Sequence, residues 1–185
     1  MTHLFRLLEF YLARESKNLV RNAIRLRVIG WRDALEPRVR AAIEEAEELT
    51  RVGTHMQLVI AVNFSGRWEI TRAVESLLRN APTAPITEEL VSEHLPHRDI
   101  PAPDLFIRTA GERRLSNYFL WNLAYTELHF TDVCWPDFGA ADLREALDWF
   151  ATRKRSFGAI PSVHAKNIAS ACPLNLRSRR ALPTL

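Results

Sequence analysis

The chain has 185 residues, of which 47% are apolar and 25% are charged. This composition fits one globular domain with its own core and excludes disordered and fibrous proteins. Charged residues interrupt every apolar stretch before the roughly 18 consecutive apolar positions that a membrane-spanning helix needs. Residues 151–185 hold seven basic residues and no acidic one, so residues 1–150 have a net charge of −4 within the overall +3. A mildly acidic body with a basic tail argues against a nucleic-acid partner.

The N-terminus and the cysteines both predict a cytoplasmic protein. The first residues lack the basic, then apolar, then small-residue layout of a secretory signal. The two cysteines, Cys134 and Cys172, are too few for a disulfide framework and do not have the spacing of a zinc site. We therefore expect both to be reduced thiols with no special role.

Helical and extended patterns alternate along the chain. Apolar spacing predicts a helix over 4–19, a period-two strand over 24–29 that ends at Gly30, and a second amphipathic helix behind Pro37. Next come a strand at 58–62, a helix at 70–78, and a proline-rich connection at 80–103 with a short helix at 88–93. The last predicted elements are a strand at 105–107, a polar loop, a helix through Trp121 and Tyr125, a strand near 128–133 and a helix over 141–153.

This alternation predicts an α/β fold. Strands that are apolar on both faces and alternate with helices form a mainly parallel sheet with helices on both faces. Residues 1–158 are expected to make one domain, followed by a basic tail at 159–185 in which no period is evident. Because ligands bind at the carboxyl ends of parallel strands, attention falls on the loops after Val62 and Ile107.

The loop after the third strand is rich in residues that bind anions. Three arginines, two hydroxyl groups and a glycine lie within 108–116, and arginine presents a fork of donors that matches phosphate oxygens. Residues 116–117 stand where they could cap the next helix and turn backbone N–H groups toward an anion. The loop therefore predicts a phosphate or diphosphate site, although Arg108 could instead pair with Asp104 or Glu112.

Several blocks of the sequence together resemble one enzyme family. The run 104–128 and the later Trp-Pro-Asp-Phe at 135–138 are similar to the cis-prenyltransferases, of which undecaprenyl diphosphate synthase is the bacterial type. Segments 24–30 and 61–70 look like two further blocks of the same family, in the same order. The resemblance covers about residues 4–158.

The resemblance implies a homodimeric, Mg²⁺-dependent enzyme that adds isopentenyl diphosphate in cis to an allylic diphosphate such as farnesyl diphosphate. Arg108, Arg114 and Ser116 would hold the diphosphate of isopentenyl diphosphate, Leu115 would line the site, and Glu127 would match the magnesium ligand. Magnesium takes one or two carboxylates with phosphate oxygens and water, whereas context alone makes Glu127 a solvated helix-end glutamate. The product, a polyprenyl diphosphate, implies peripheral membrane contact.

The family's N-terminal strand and helix, as the resemblance implies them, have no counterpart in this sequence. They include Asp-Gly-Asn-Gly-Arg-Trp-Ala, whose aspartate takes the allylic diphosphate and its magnesium. We therefore expect an N-terminally truncated enzyme with an unpaired sheet edge, and we assign no catalytic residue. Because ionisation of the allylic diphosphate needs preorganised charge, activity of this chain alone is expected to be very low. The alternative is a non-catalytic subunit that supports a complete prenyltransferase.

Other positions also differ from the family pattern. Ser65 stands where glycine is usual, which tests whether this turn needs a positive φ. Beside it, Arg67 either approaches a phosphate or caps the helix and pairs near Glu69, and both interpretations stay open. Trp31 stands where the family prefers aspartate, and Ser156 replaces the arginine of an Arg-Phe-Gly element linked to diphosphate binding across the dimer.

Overall fold

Helices and strands alternate along the chain as the sequence predicts. The computed structural model describes residues 2–80 and 83–153; the predictions for Ser156, for Cys172 and for the tail 159–185 with its domain boundary lie outside the described residues. The elements are α1 (Thr2–Arg21), β1 (Ile24–Ile29), α2 (Pro37–Thr50), β2 (Met56–Ala61), α3 (Gly66–Asn80), α4 (Glu88–His94), β3 (Leu105–Arg108), β4 (Glu127–Phe130) and α5 (Ala140–Ala151), with short 3₁₀ helices at Arg32–Ala34 and Trp135–Asp137. No helix in these ranges has the length and apolar character needed to cross a membrane.

All strand pairs in the described part of the chain are parallel. β1 pairs with β2, and β3 pairs with β4. The two pairs form separate two-stranded sheets, since no ladder joins β2 to β3 within the described residues. The prediction of an α/β fold with parallel strands is confirmed, and the parallel arrangement places the carboxyl ends of each pair at one edge.

The alternation of side chains along β1 divides the core into two parts. Leu26 and Val28 point to one face, where they join the buried residues of α1 and α2: Leu12, Val39, Ile43 and Ala46. Ile29 belongs to the opposite face and packs with Phe119 and Leu123, which come from the segment after β3. The period-two pattern therefore gives β1 apolar contacts on both faces, as expected for a buried strand.

The helix predicted through Trp121 and Tyr125 is wrong. Residues 116–125 form a series of turns, in which Ser116, Asn117 and Phe119 have φ angles of 49°, 62° and 43°. A left-handed backbone cannot continue a right-handed helix of L-residues. The prediction that residues 116–117 cap a helix fails for the same reason, and Tyr125 is 77% exposed.

Candidate functional site

The loops that follow β2 and β3 are joined by hydrogen bonds at the carboxyl ends of their strands. The backbone N–H of Gly66 donates to the carbonyl of Asn117 at 2.7 Å. The backbone N–H of Arg67 donates to Oδ1 of Asn117 at 2.9 Å, and Nδ2 of Asn117 donates to Oγ of Ser65 at 2.7 Å. These contacts fix the loop after β3 to the first turn of α3.

The N–H groups of the first turn of α3 are all bonded within the chain. Oγ of Ser65 accepts from the N–H of Trp68 at 3.2 Å, and the carbonyl of Ser65 accepts from the N–H of Glu69 at 2.9 Å. With the two N–H groups bound by Asn117, the bond from Trp68 brings to three the engaged donors that helix N-termini usually leave free, and the Glu69 bond is the first regular bond of the helix. The first turn of α3 therefore has no spare N–H with which to bind an anion.

The serine at position 65 causes no backbone strain, because the positive φ in this turn belongs to Asn63, at 50°, and not to Ser65. The position that requires glycine is Gly66: a Cβ there would lie 2.9 Å from Cγ of Leu120 and 3.1 Å from the carbonyl oxygen of Asn117. Glycine at position 66 thus permits the close approach of the two loops.

Arg108, Leu115 and Ser116 line one cavity of about 470 Å³ beside this junction. Nη2 of Arg108 donates to Oγ of Ser116 at 3.3 Å, and Leu115 also packs against the core cluster around Ile29. The structure therefore brings together three of the four residues predicted to bind the substrate.

Arg114 lies outside the lining of this cavity. Its side chain is 67% exposed and forms an ion pair with Glu112, which does line the cavity. Arg108, the alternative partner considered for Glu112, bonds to Ser116 instead. Because an exposed ion pair contributes little stability, the Arg114 guanidinium can leave Glu112 for a stronger anion at small cost.

Glu127 is placed away from the other predicted residues. It is the first residue of β4 and pairs in register with Leu105, whereas Arg108 pairs with Phe130. Three positions along a strand correspond to roughly 10 Å. Glu127 is partly buried at a strand start, so the description of a solvated helix-end glutamate is wrong; its Oε2 accepts from Nε of Arg153 at 3.2 Å.

A buried carboxyl group lies behind the junction. Glu69 is 1% exposed, its Oε2 atom has no hydrogen-bond partner among the described residues, and burial raises its pKa to about 7. Burial, together with the charge of Glu69, also raises the pKa of Tyr118, which lines the cavity. Arg67 is exposed and makes no ion pair with the buried Glu69 in the described part of the chain, so the predicted pairing is wrong, and its approach to a phosphate stays a prediction.

Sequence reasoning missed the contact between Ser65 and Asn117 and the contribution of Tyr118 and Trp135 to the cavity. The only available signal was the presence of short polar side chains in both strand-end loops. That signal does not specify which side chains meet, because Ser65 and Asn117 are 52 positions apart.

The sequence matches a known protein family and several of its members over most of its length. The family profile described as "Putative undecaprenyl diphosphate synthase" matches residues 1–158. A ditrans,polycis-undecaprenyl-diphosphate synthase from Vibrio vulnificus, named as specific for (2E,6E)-farnesyl diphosphate, is 44% identical over 152 residues, 80% of this chain and 61% of that protein. An isoprenyl transferase from Ralstonia nicotianae is 44% identical over 161 residues, 85% of this chain and 62% of that protein.

The structural similarity agrees with these matches. The crystal structure of lavandulyl diphosphate synthase from Lavandula x intermedia, in complex with dimethylallyl diphosphate, aligns with a TM-score of 0.78 at 37% identity. The alignment covers 84% of this chain and 70% of that one. The chain spans just over three fifths of the length of the two curated relatives named above.

Proposed function

Because the chain belongs to the undecaprenyl diphosphate synthase family of prenyltransferases, we propose that it binds isopentenyl diphosphate for cis addition to an allylic diphosphate such as farnesyl diphosphate. The observation that carries this proposal is the meeting of the Arg108 and Ser116 side chains at one cavity, at the carboxyl end of β3. Diphosphate needs several charge-assisted donors, and arginine supplies them in a fork.

In this proposal each residue has a separate task. Arg108 and Ser116 bind diphosphate oxygens at the cavity, and Arg114 exchanges its ion pair with Glu112 for a bond to the same diphosphate. Leu115, with Phe106 on β3, gives the cavity an apolar wall for the isopentenyl group. The site thereby holds the diphosphate by charge and orients the hydrocarbon part by exclusion from water.

We propose Mg²⁺ as the metal of the complete site, where it would neutralise diphosphate charge. The described residues contain no group of three His, Cys, Asp or Glu side chains that could hold a metal without other ligands. Glu127 offers one carboxylate, which is paired with Arg153 and lies roughly 10 Å along the strands from Arg108. Any role of Glu127 as a ligand therefore needs diphosphate oxygens, water or groups beyond the described residues.

We further propose that the active assembly is a cytoplasmic homodimer that contacts a membrane surface through its lipid product. The second candidate function is a non-catalytic subunit that dimerises with a complete prenyltransferase. The intact loop around Arg108 and Ser116 favours substrate binding over a purely supporting role. Pull-down against a full-length paralogue distinguishes the two candidates, since only the second predicts a preferred heterodimer.

The substitution Arg114→Ala tests the proposed diphosphate site. A charge-assisted bond of about 1.5–3 kcal/mol corresponds to a roughly 10- to 150-fold loss of affinity for isopentenyl diphosphate. Isothermal titration calorimetry on the 185-residue chain measures this loss. Arg113→Ala, which removes the same charge one position earlier, is the matched control and should change the affinity much less. Equal affinity of the wild type and Arg114→Ala would exclude Arg114 from the site.

A further inference from the structure

We propose that Ser65 and Asn117 are positioning residues for the diphosphate site, because together they hold Ser116 in its binding conformation. We call these two side chains and their mutual hydrogen bond the Ser65–Asn117 clamp. The inference rests on the proposed function, since the site that the clamp supports is the one assigned to isopentenyl diphosphate. It adds a residue from the loop after β2 to a site whose proposed binding groups belong to β3 and the loop after it.

The backbone at Ser116 needs such a support. Ser116 and Asn117 have φ angles of 49° and 62°, in the left-handed region. Asparagine visits this region because its short side chain finds local partners, whereas serine does so with strain. A strained pair of residues persists only where surrounding contacts hold it, and Ser116 is an exposed residue whose side chain receives the bond from Arg108.

Asn117 supplies the required contacts through three of its polar atoms. Its carbonyl oxygen accepts from Gly66, its Oδ1 accepts from Arg67, and its Nδ2 donates to Ser65. Ser65 is itself held in place by the bond from the N–H of Trp68 to its Oγ. The clamp therefore joins two elements: Ser65 is bonded to the first turn of α3, and Asn117 belongs to the loop that carries Ser116.

The link to the ligand passes through the Ser116 hydroxyl. This hydroxyl receives the bond from Nη2 of Arg108 and lines the cavity beside it. If the clamp opens, the two left-handed residues can relax, and the hydroxyl moves away from the guanidinium. The site would then lose the mutual orientation of its two donors while keeping both side chains, so affinity falls although no ligand-binding group has been removed.

The test compares Ser65→Ala, which removes the Oγ acceptor, with Ser65→Thr, which keeps it. Thr87→Ala is the matched control: Oγ1 of Thr87 accepts from the N–H of Leu90 at 3.2 Å and caps α4 in the same way, but Thr87 does not line the cavity. Two quantities are measured on the full chain. One is amide hydrogen exchange at Arg67 and Tyr118 without ligand, and the other is the calorimetric affinity for isopentenyl diphosphate.

We expect Ser65→Ala to speed exchange at both amides and to weaken binding roughly 3- to 10-fold, the loss typical of one hydrogen bond. Ser65→Thr should restore both values, and Thr87→Ala should change neither. A Ser65→Ala protein that loses thermal stability like Thr87→Ala, yet keeps wild-type exchange at Tyr118 and wild-type affinity, would overturn the inference. Absence of wild-type binding would overturn the proposed function instead, and the exchange rates would still decide whether the clamp holds the loop.

Discussion

Replacing Glu69 by glutamine is expected to change how the free energy of unfolding depends on pH. Burial raises the pKa of this carboxyl group from its ordinary value of 4.5 to about 7. Since one pKa unit corresponds to 1.36 kcal/mol, the linked free energy is about 3 kcal/mol. It is fully present below about pH 4.5, where the folded and unfolded chains both hold the proton, and it is lost as the pH rises through about 7.

His97 has the opposite effect in nearly the same range. Both of its ring nitrogens are buried and lack hydrogen-bond partners among the described residues. Burial, reinforced by the nearby charges of Arg27 and Arg32, lowers its pKa from 6.5 to about 4, although the carboxylate of Asp99 acts in the other direction. Its contribution of about 3 kcal/mol is therefore present above pH 6.5 and is lost as the pH falls through about 4. Between about pH 5 and 6.5 the effects of Glu69 and His97 on the free energy of unfolding have opposite slopes and cancel. The free energy of unfolding of the wild type should therefore change little with pH in this range.

Urea denaturation between about pH 5 and 6.5 measures this balance. In Glu69→Gln only the His97 slope remains, so the free energy of unfolding should rise by about 1.4 kcal/mol per pH unit, or about 2 kcal/mol across the range. Glu75→Gln removes an exposed carboxylate from the same helix and controls for the lost charge. If the free energy of unfolding depended on pH in the same way for the wild type and for Glu69→Gln, Glu69 would ionise in the folded chain as it does in the unfolded one, which would contradict the raised pKa.

Two further substitutions test the packing around β1 by the same urea method. Thr50 is buried, and its Oγ1 accepts from the N–H of Leu26 at 3.0 Å. Thr50→Val leaves this buried N–H unpaired and should lower the free energy of unfolding by about 1–3 kcal/mol. Thr50→Ser keeps the hydroxyl and should lower the free energy of unfolding clearly less. Gly30 has a φ of 119°, and a Cβ there would lie 2.0 Å from the carbonyl oxygen of Val62, so Gly30→Ala should cost about 3 kcal/mol or more. Gly139→Ala, where a Cβ meets only Oδ2 of Asp142 at 3.8 Å, should cost less, and equal losses in both glycine variants would contradict the steric argument.

The elements that local pattern determines could be predicted from the sequence. The alternation in residues 24–29 predicted β1 with the bounds observed, because one side of the strand faces α1 and α2 and the other faces Phe119 and Leu123. Pro37 marked the start of α2 as expected for a first-turn proline. Arg108, Leu115 and Ser116 line the same cavity because they are close in sequence, at the end of β3 and in the loop after it, while their binding role stays a prediction.

The prediction failed where distant contacts decide the backbone. Apolar residues around Trp121 suggested a helix, but the bonds from residues 65–67 to Asn117 fix a left-handed backbone at the point where that helix would begin. No local pattern reports a contact between loops 52 positions apart. The position of Glu127 relative to Arg108 likewise depends on the register of β3 with β4, which the sequence does not reveal.

The hydrogen bonds of the two loops limit which groups are available to the proposed diphosphate. The first-turn N–H groups of α3 are occupied by Ser65 and Asn117. In the loop after β3, the N–H groups of Ala110 and Gly111 donate to the carbonyls of Val133 and Thr131. Because these backbone donors hold the fold, they are not available to an anion, and the proposed diphosphate contacts are those of the Arg108, Arg114 and Ser116 side chains. We therefore expect that removing an arginine charge weakens diphosphate binding strongly at this site. The loss should be larger than at a site built on a helix N-terminus, where free backbone N–H groups also bind the anion.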